Sequence, residues 1–279
     1  MKGVSLLSLN RRQRTLFALL AGVALLAGVG IGASLLGAEN MATDLGNRNL
    51  PPNSEHLFGK DWLGRDMFTR TVKGLWLSIQ IGVVAAFSSS LIAIALGLCA
   101  ATLGKTADRI VSWLIDLFLS VPHLVTLVLI AFVVGGGMKG IMIGIAFTHW
   151  PTLTRLLRAE LLQVQSAEYV MISRRLGRSR WWVATRHLLP HLLPQWLVGT
   201  ILMFPHAILH EASITFIGLG LSPHQPAIGI ILSESMRYLS AGMWWLAFFP
   251  GICLLMVVRA FDLVGENVRL LIDPARAQE

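Results

Sequence analysis

Apolar residues gather into long runs, at about 17–36, 75–102, 111–134, 141–157, 192–217 and 243–264, separated by polar connections. A helix rises 1.5 Å per residue, so about 20 apolar residues match the roughly 30 Å hydrocarbon core of a bilayer. The pattern therefore predicts an all-α polytopic membrane protein of six transmembrane helices. The first run follows Arg11, Arg12 and Arg14. It is longer than the roughly 7–15 residues of a signal-peptide core, so it reads as a retained span. The second run, if one helix, is about 42 Å long and must tilt or project beyond the bilayer. Ser88, Ser89 and Ser90 sit at its centre, where they can bond the backbone or one another across a helix interface. Thr148, His149, Trp150, Pro151 and Thr152 lie in the short fourth run and argue against lipid contact all round it. Gly28 with Gly32, and Gly140 with Gly144, have the spacing that permits close helix approach.

Charge sets the orientation. With the N-terminus in the cytoplasm, residues 1–16, 103–109, 155–191 and 259–279 lie inside and carry 16 Lys and Arg, against 7 in the outer loops. Short loops rich in Lys and Arg stay inside, which favours an N-in, C-in chain. Only 14% of residues are charged and 54% are hydrophobic, whereas soluble domains average about 25% charged. The net charge of +8 thus reads as topology rather than as a nucleic-acid footprint. Cys99 and Cys253 lie in apolar runs without a CxxC partner, so no redox or metal motif exists.

Two polar segments stand out. Residues 37–74 form a long external stretch ending in Trp62, Leu63, Met67 and Phe68 among charges, the composition of an amphipathic piece at the membrane interface. Ser166–Pro194 holds Tyr169, Val170, Ile172, Leu176, Trp181, Trp182 and Val183 at spacings suited to two short helices broken at Gly177. Exposed apolar side chains on such a hairpin imply a docking partner. Anionic lipid contacted through Arg174, Arg175, Arg178 and Arg180 is the competing reading.

Glu168, Gly177 nine residues later, and then Leu189-Pro190 resemble the EAA loop of ABC importer permeases, with Tyr169 and Val170 in place of its two alanines. His56–Arg70 (HLFGKDWLGRDMFTR), Ile214–Pro223 (ITFIGLGLSP) and Phe261–Arg276 (FDLVGENVRLLIDPAR) resemble the dipeptide, oligopeptide and nickel branch of that family. The resemblance implies a type I ABC importer permease fold in a bacterial inner membrane. It divides the chain into a cytoplasmic N-terminus (1–16), a first span (17–36), an external segment (37–74), a permease core (75–264) containing the cytoplasmic coupling loop 158–191, and a cytoplasmic tail (265–279). The implied partners are a second homologous permease, two ATPase subunits, an external solute-binding protein and membrane lipid, without nucleic acid. The ATPase-coupling residues carried over are Glu168, Tyr169, Val170, Arg174, Arg175, Gly177, Arg180, Leu189 and Pro190. No cofactor is expected on this chain; ATP and Mg belong to the partners. Gly104, Lys105 and Thr106 imitate the end of a phosphate-binding loop, but Cys99 replaces its first glycine and a membrane helix precedes it.

Ionisable groups inside membrane helices are costly and mark functional candidates. His123, His149 and His206 fall near the middles of the third, fourth and fifth runs; His210 lies one turn beyond His206, and Glu211 follows. Imidazole suits nickel, copper, zinc and cobalt, so His123, His149, His206, His210 and Glu211 are translocation-path candidates. Alternatively, each histidine donates to a neighbouring carbonyl and fixes packing. His149-Trp150 and the His206, His210 pair ahead of ITFIGLG resemble the nickel-transporting permeases more than the dipeptide ones. The expectation is therefore a permease for nickel or another transition metal, as a chelate or metallophore complex, with a di- or oligopeptide permease as the alternative. No metal ligand set is assigned. A membrane hydrolase built on His206, His210 and Glu211 is disfavoured, since HxxxHE is not HExxH and no GxSxG occurs. A scaffold recruiting partners through the arginine-rich loop is the remaining class. Pro122 and Pro205 each remove a backbone hydrogen bond and predict bends beside His123 and His206.

Overall fold

Every long apolar run forms helix, and the polar interruptions decide where each helix stops. The structure, a computed structural model, describes residues 10–37, 39–222 and 224–272. Residues 1–9 of the N-terminal segment, Pro223 of the Ile214–Pro223 motif, and 273–279, including the end of the Phe261–Arg276 motif, lie outside the described residues. Eleven α-helices run through the described residues: α1 (Arg11–Leu35), α2 (Met67–Thr102), α3 (Lys105–Ser120), α4 (His123–Val133), α5 (Gly137–Thr148), α6 (Trp150–Gln165), α7 (Glu168–Arg175), α8 (Arg180–Val183), α9 (Leu189–Phe216), α10 (Ile228–Leu239) and α11 (Trp245–Ile272). Among these residues no strand forms, only an isolated bridge between Lys60 and Asp66.

The 36-residue α2 is the central mast, packing against α1, α3, α5, α6, α9, α10 and α11. Asp66 caps it, its carboxylate accepting from the Thr69 amide at 2.8 Å. Gly82 lets α9 approach closely, because a Cβ there would lie 2.5 Å from Ile208 Cγ1. The Trp196 indole of α9 donates to the Ser90 carbonyl at 3.0 Å. Ser88 and Ser90 turn their hydroxyls back onto the carbonyls of Val84 and Phe87. Gly140 and Gly144 also meet backbone, facing the carbonyls of Ala131 and Leu127 on α4. Gly28 faces open space.

Four continuous stretches are long and apolar enough to cross a membrane: Arg12–Leu35, Met67–Thr102, Arg180–Phe216 and Trp245–Ile272. They correspond to the first, second, fifth and sixth predicted spans, overlapping each almost completely. The third run is divided, with α3 and α4 meeting at 97°. Pro122 is the cause: Val121 before it is extended, as a pre-proline residue prefers, and Pro122 itself caps α4. This is a break rather than the bend expected from sequence. The fourth run is likewise divided at His149, between α5 and α6. Pro205 by contrast lies inside an unbroken α9. Leu16, Phe17, Leu20, Ile31, Phe132 and Val133 face outward, the side-chain chemistry a lipid-facing helix requires.

Residues 39–66 fold over one end of the bundle. Phe58 stacks on Phe249 at 4.6 Å and Trp62 on Tyr238 at 4.6 Å. Met67 and Phe68, expected to close an interfacial piece, form the first turn of α2, with Met67 wholly buried.

Candidate functional site

The two helix breaks bring the candidate histidines together. His123 is the first residue of α4, His149 sits between α5 and α6, and His210 projects from α9. Their ring centroids lie 4.5 Å (His123–His149), 4.6 Å (His123–His210) and 5.0 Å (His149–His210) apart. Each ring is half-buried. His149 Nε2 is 3.1 Å from His210 Nδ1, and His149 Nδ1 is 3.1 Å from the Ile145 carbonyl oxygen. His123 Nε2 is buried with no hydrogen-bond partner among the described residues. The mid-run positions expected from sequence for His123 and His149 are thus helix breaks.

His206, the fourth candidate, stands exposed one turn before His210 and outside the three-ring group. Glu211 points elsewhere. It is wholly buried, and Oε1 accepts from the Thr215 hydroxyl at 2.9 Å while Oε2 has no hydrogen-bond partner among the described residues. The arrangement therefore separates three convergent imidazoles from a carboxyl group held against other helices.

The predicted two-helix hairpin is present. α7 is closed off by Leu176 and Gly177, the latter with a left-handed φ of +78°. The Arg178 amide donates to the Ser173 carbonyl and the Gly177 amide to that of Arg174, the pair of bonds of a Schellman cap. Glu168 lies in the first turn of α7 and Arg174 and Arg175 in its last, charges placed to complement the helix dipole. Val170, Val183 and Leu188 anchor the hairpin in the core. Tyr169, Ile172, Leu176 and Trp181 face outward. A π-helical turn at Ala184–Leu188 carries His187 between Tyr169 and Trp182, with Nε2 2.9 Å from the Ser173 hydroxyl. Arg180 reaches the Leu103 carbonyl at 3.4 Å. Leu189 and Pro190 start α9, where a proline is tolerated. Tyr169 and Val170 fit their positions, one against His187 and the other buried.

Sequence reasoning missed a buried ion network at the other end. Asp61, fully buried, receives Arg70 at 2.6 Å and Arg65 at 2.7 Å; Arg70 also pairs with Glu234 of α10 at 2.8 Å. The i,i+4 spacing of Asp61 and Arg65 was a readable signal, but Glu234 is 164 residues from Arg70 and gave none. Arg70 is only 3% exposed, so it acts as a structural clamp between α2 and α10. Asp116 is exposed and pairs with Arg155 at 3.0 Å.

Long apolar helices, two of the predicted spans broken where polar side chains converge, and an exposed hairpin are the architecture of a polytopic membrane protein. Residues 93–274 match the family described as binding-protein-dependent transport system inner membrane component. The chain belongs to that family and is an ABC importer permease, which bears out the resemblance seen in the sequence. It is 32% identical over 230 residues to the dipeptide transport system permease protein DppC of Bacillus subtilis (strain 168), covering 82% of this chain and 72% of that protein. It is 35% identical over 233 residues to the probable D,D-dipeptide transport system permease protein DdpC of Escherichia coli (strain K12), covering 84% and 78%. In fold it is similar to a chain of the MetNI methionine ABC transporter in an inward-facing conformation, with a TM-score of 0.60 and 21% identity over 74% of this chain and 98% of that one. The two relatives matched in sequence carry dipeptide names, which favours the peptide alternative over the nickel or metallophore expectation.

Proposed function

We propose that the chain forms half of the translocation path of an ATP-driven importer for di- or oligopeptides, with Glu168–Arg180 as its coupling element. The observation that carries the coupling role is the hairpin itself: a capped, core-anchored pair of helices with Tyr169, Ile172, Leu176 and Trp181 outside. Burying such a surface in a groove on a cytoplasmic ATPase gains apolar contact without the cost of ordering a flexible loop. ATP-driven movement of the ATPases would push this lever and tip the bundle between two states. Six crossings with both termini inside follow if α3 with α4, and α5 with α6, each complete a broken span. Two ATPases, a second permease and an external binding protein complete the assembly, and ATP with Mg binds to the partners.

The peptide cargo is supported by the names of the relatives. A metal or metal-chelate cargo is the second reading, favoured by the convergent histidines. Co-expression with candidate ATPases tests the assignment. One ATPase should survive purification with the wild-type chain and be lost with Gly177→Pro or on deletion of Glu168–Arg180. Retention by both variants would sink the coupling role. Uptake of labelled nickel, with and without chelator and in competition with dipeptides, separates the two cargoes.

A further inference from the structure

Three imidazoles from three separate helical pieces make more than a packing contact. We propose that His123, His149 and His210 form a binding site for a divalent transition-metal ion, with an open coordination position. Their ligating nitrogens all lie within 4.8 Å of one another. Nitrogens bound to one tetrahedral ion at about 2.0–2.1 Å stand about 3.4 Å apart. His149 Nε2 and His210 Nδ1, at 3.1 Å, are already near that spacing, and the third nitrogen closes by side-chain rotation.

The surroundings prepare the same state. A carbonyl oxygen only accepts hydrogen bonds, so the contact of His149 Nδ1 with the Ile145 carbonyl places the proton on Nδ1. The Nε2 lone pair then points at the cluster, where before an ion binds it accepts from His210 Nδ1–H at 3.1 Å; metal binding through Nδ1 moves that proton to His210 Nε2. A ligating histidine characteristically gives its other N–H to such an outer partner, which fixes tautomer and ring orientation. His123 Nε2 supplies a second, independent sign: it is buried and lacks a hydrogen-bond partner among the described residues. A cluster serving packing alone would satisfy that nitrogen.

The donor set selects the ion. Three imidazoles without a carboxylate suit zinc, nickel, copper or cobalt and do not suit magnesium or calcium. Glu211, although next to His210, lies outside the three-nitrogen group, with Oε1 accepting from Thr215. Three protein ligands leave a position for water or for a donor atom of a solute, so the ion can arrive free or already chelated by a peptide. Binding would also tie α4, the α5–α6 junction and α9 together at the two helix breaks.

The test uses the full chain with the partner chains it retains, carrying no polyhistidine tag, in lipid nanodiscs. Co2+ titration should saturate near one ion per chain with visible absorption bands, and X-ray absorption at the cobalt edge should count three imidazoles. His123→Asn, His149→Asn and His210→Asn should each weaken binding by at least about 10- to 100-fold, the loss that even an outer-shell partner's removal brings. His224→Asn, in the connection before α10, should leave it unchanged. A parallel arm offers Ni2+ free or as its complex with a histidine-free dipeptide, which distinguishes the bare ion from the chelate; either result keeps the site. Fewer than three imidazoles in wild-type protein, or wild-type Co2+ affinity retained in any of the three variants, overturns it. The spectroscopic count on wild-type protein needs no variant to fold. Because binding is read on protein at rest, its failure leaves the importer assignment standing.

Discussion

Asp61 is the residue whose loss the structure values most sharply. Its side chain is wholly enclosed, and its two oxygens accept four hydrogen bonds: Leu63 and Arg65 amides at 2.9 Å on Oδ1, and Arg65 Nε at 2.7 Å and Arg70 Nη1 at 2.6 Å on Oδ2. Asp61→Ala removes all four bonds, the two to guanidinium groups worth about 1.5–3 kcal/mol each, and strands a guanidinium that is 3% exposed. Removing one partner of a buried pair costs about 3–5 kcal/mol. Glu234 remains 2.8 Å from Arg70 and 3.6 Å from Arg65, so it absorbs part of the stranded charge. The expected cost is therefore at the lower end, about 3 kcal/mol.

For a chain of this size that loss lowers the melting temperature by about 6–12 °C, at 2–4 °C per kcal/mol. Thermal unfolding in detergent, followed by far-ultraviolet circular dichroism, measures it. A cycle with Asp61→Asn and Arg70→Met isolates the pair itself, and residues this close should show at least about 1 kcal/mol of coupling. Melting of Asp61→Ala within 2 °C of the parent, or additive single losses in the cycle, would refute the clamp.

Three further outcomes follow from the same geometry. Gly177→Ala forces a Cβ into a φ of +78°, a cost of about 1–2 kcal/mol concentrated in the hairpin, so pull-down should show ATPase retention falling further than the melting temperature. Leu176→Asp changes a side chain that is 75% exposed, so stability should stay within about 0.5 kcal/mol while ATPase pull-down weakens. Gly140→Leu places a Cβ 2.6 Å from the Ala131 carbonyl oxygen. It should destabilise by about 1–3 kcal/mol or more, read as a lowered melting temperature, because backbone cannot move aside as a side chain can.

Continuous spans were the most legible features, because an apolar run long enough to cross a bilayer has few alternatives to helix. The hairpin was equally legible: Gly177 between two short amphipathic stretches marks a cap from local sequence alone. The division of the third and fourth runs was not. Hydropathy averages over about 19 residues and passes across Pro122 and His149 as if the helix continued. α10 was missed for a related reason, since its 12 residues are too few for a span and it was counted as outer loop. The Asp61 network lay beyond reach because Arg70 and Glu234 meet only once α2 and α10 are packed.

The broken runs and the histidines have one explanation. A backbone interruption inside apolar surroundings leaves unsatisfied amides and carbonyls, tolerable only where protein covers them or where they line a cavity. Polar side chains tend to collect at such points because the desolvation cost is already shared. His149 shows the economy directly: it ends α5, precedes α6, and bonds the Ile145 carbonyl with its ring. His123 marks the other break, at the start of α4 after Pro122 has ended the extended link from α3, and its Nε2 stays without a hydrogen-bond partner among the described residues. His210, on an unbroken helix, completes the group only because α9 packs beside α5 and α6. The position of each histidine was thus in the sequence, while their convergence was set by two helix breaks and one packing contact.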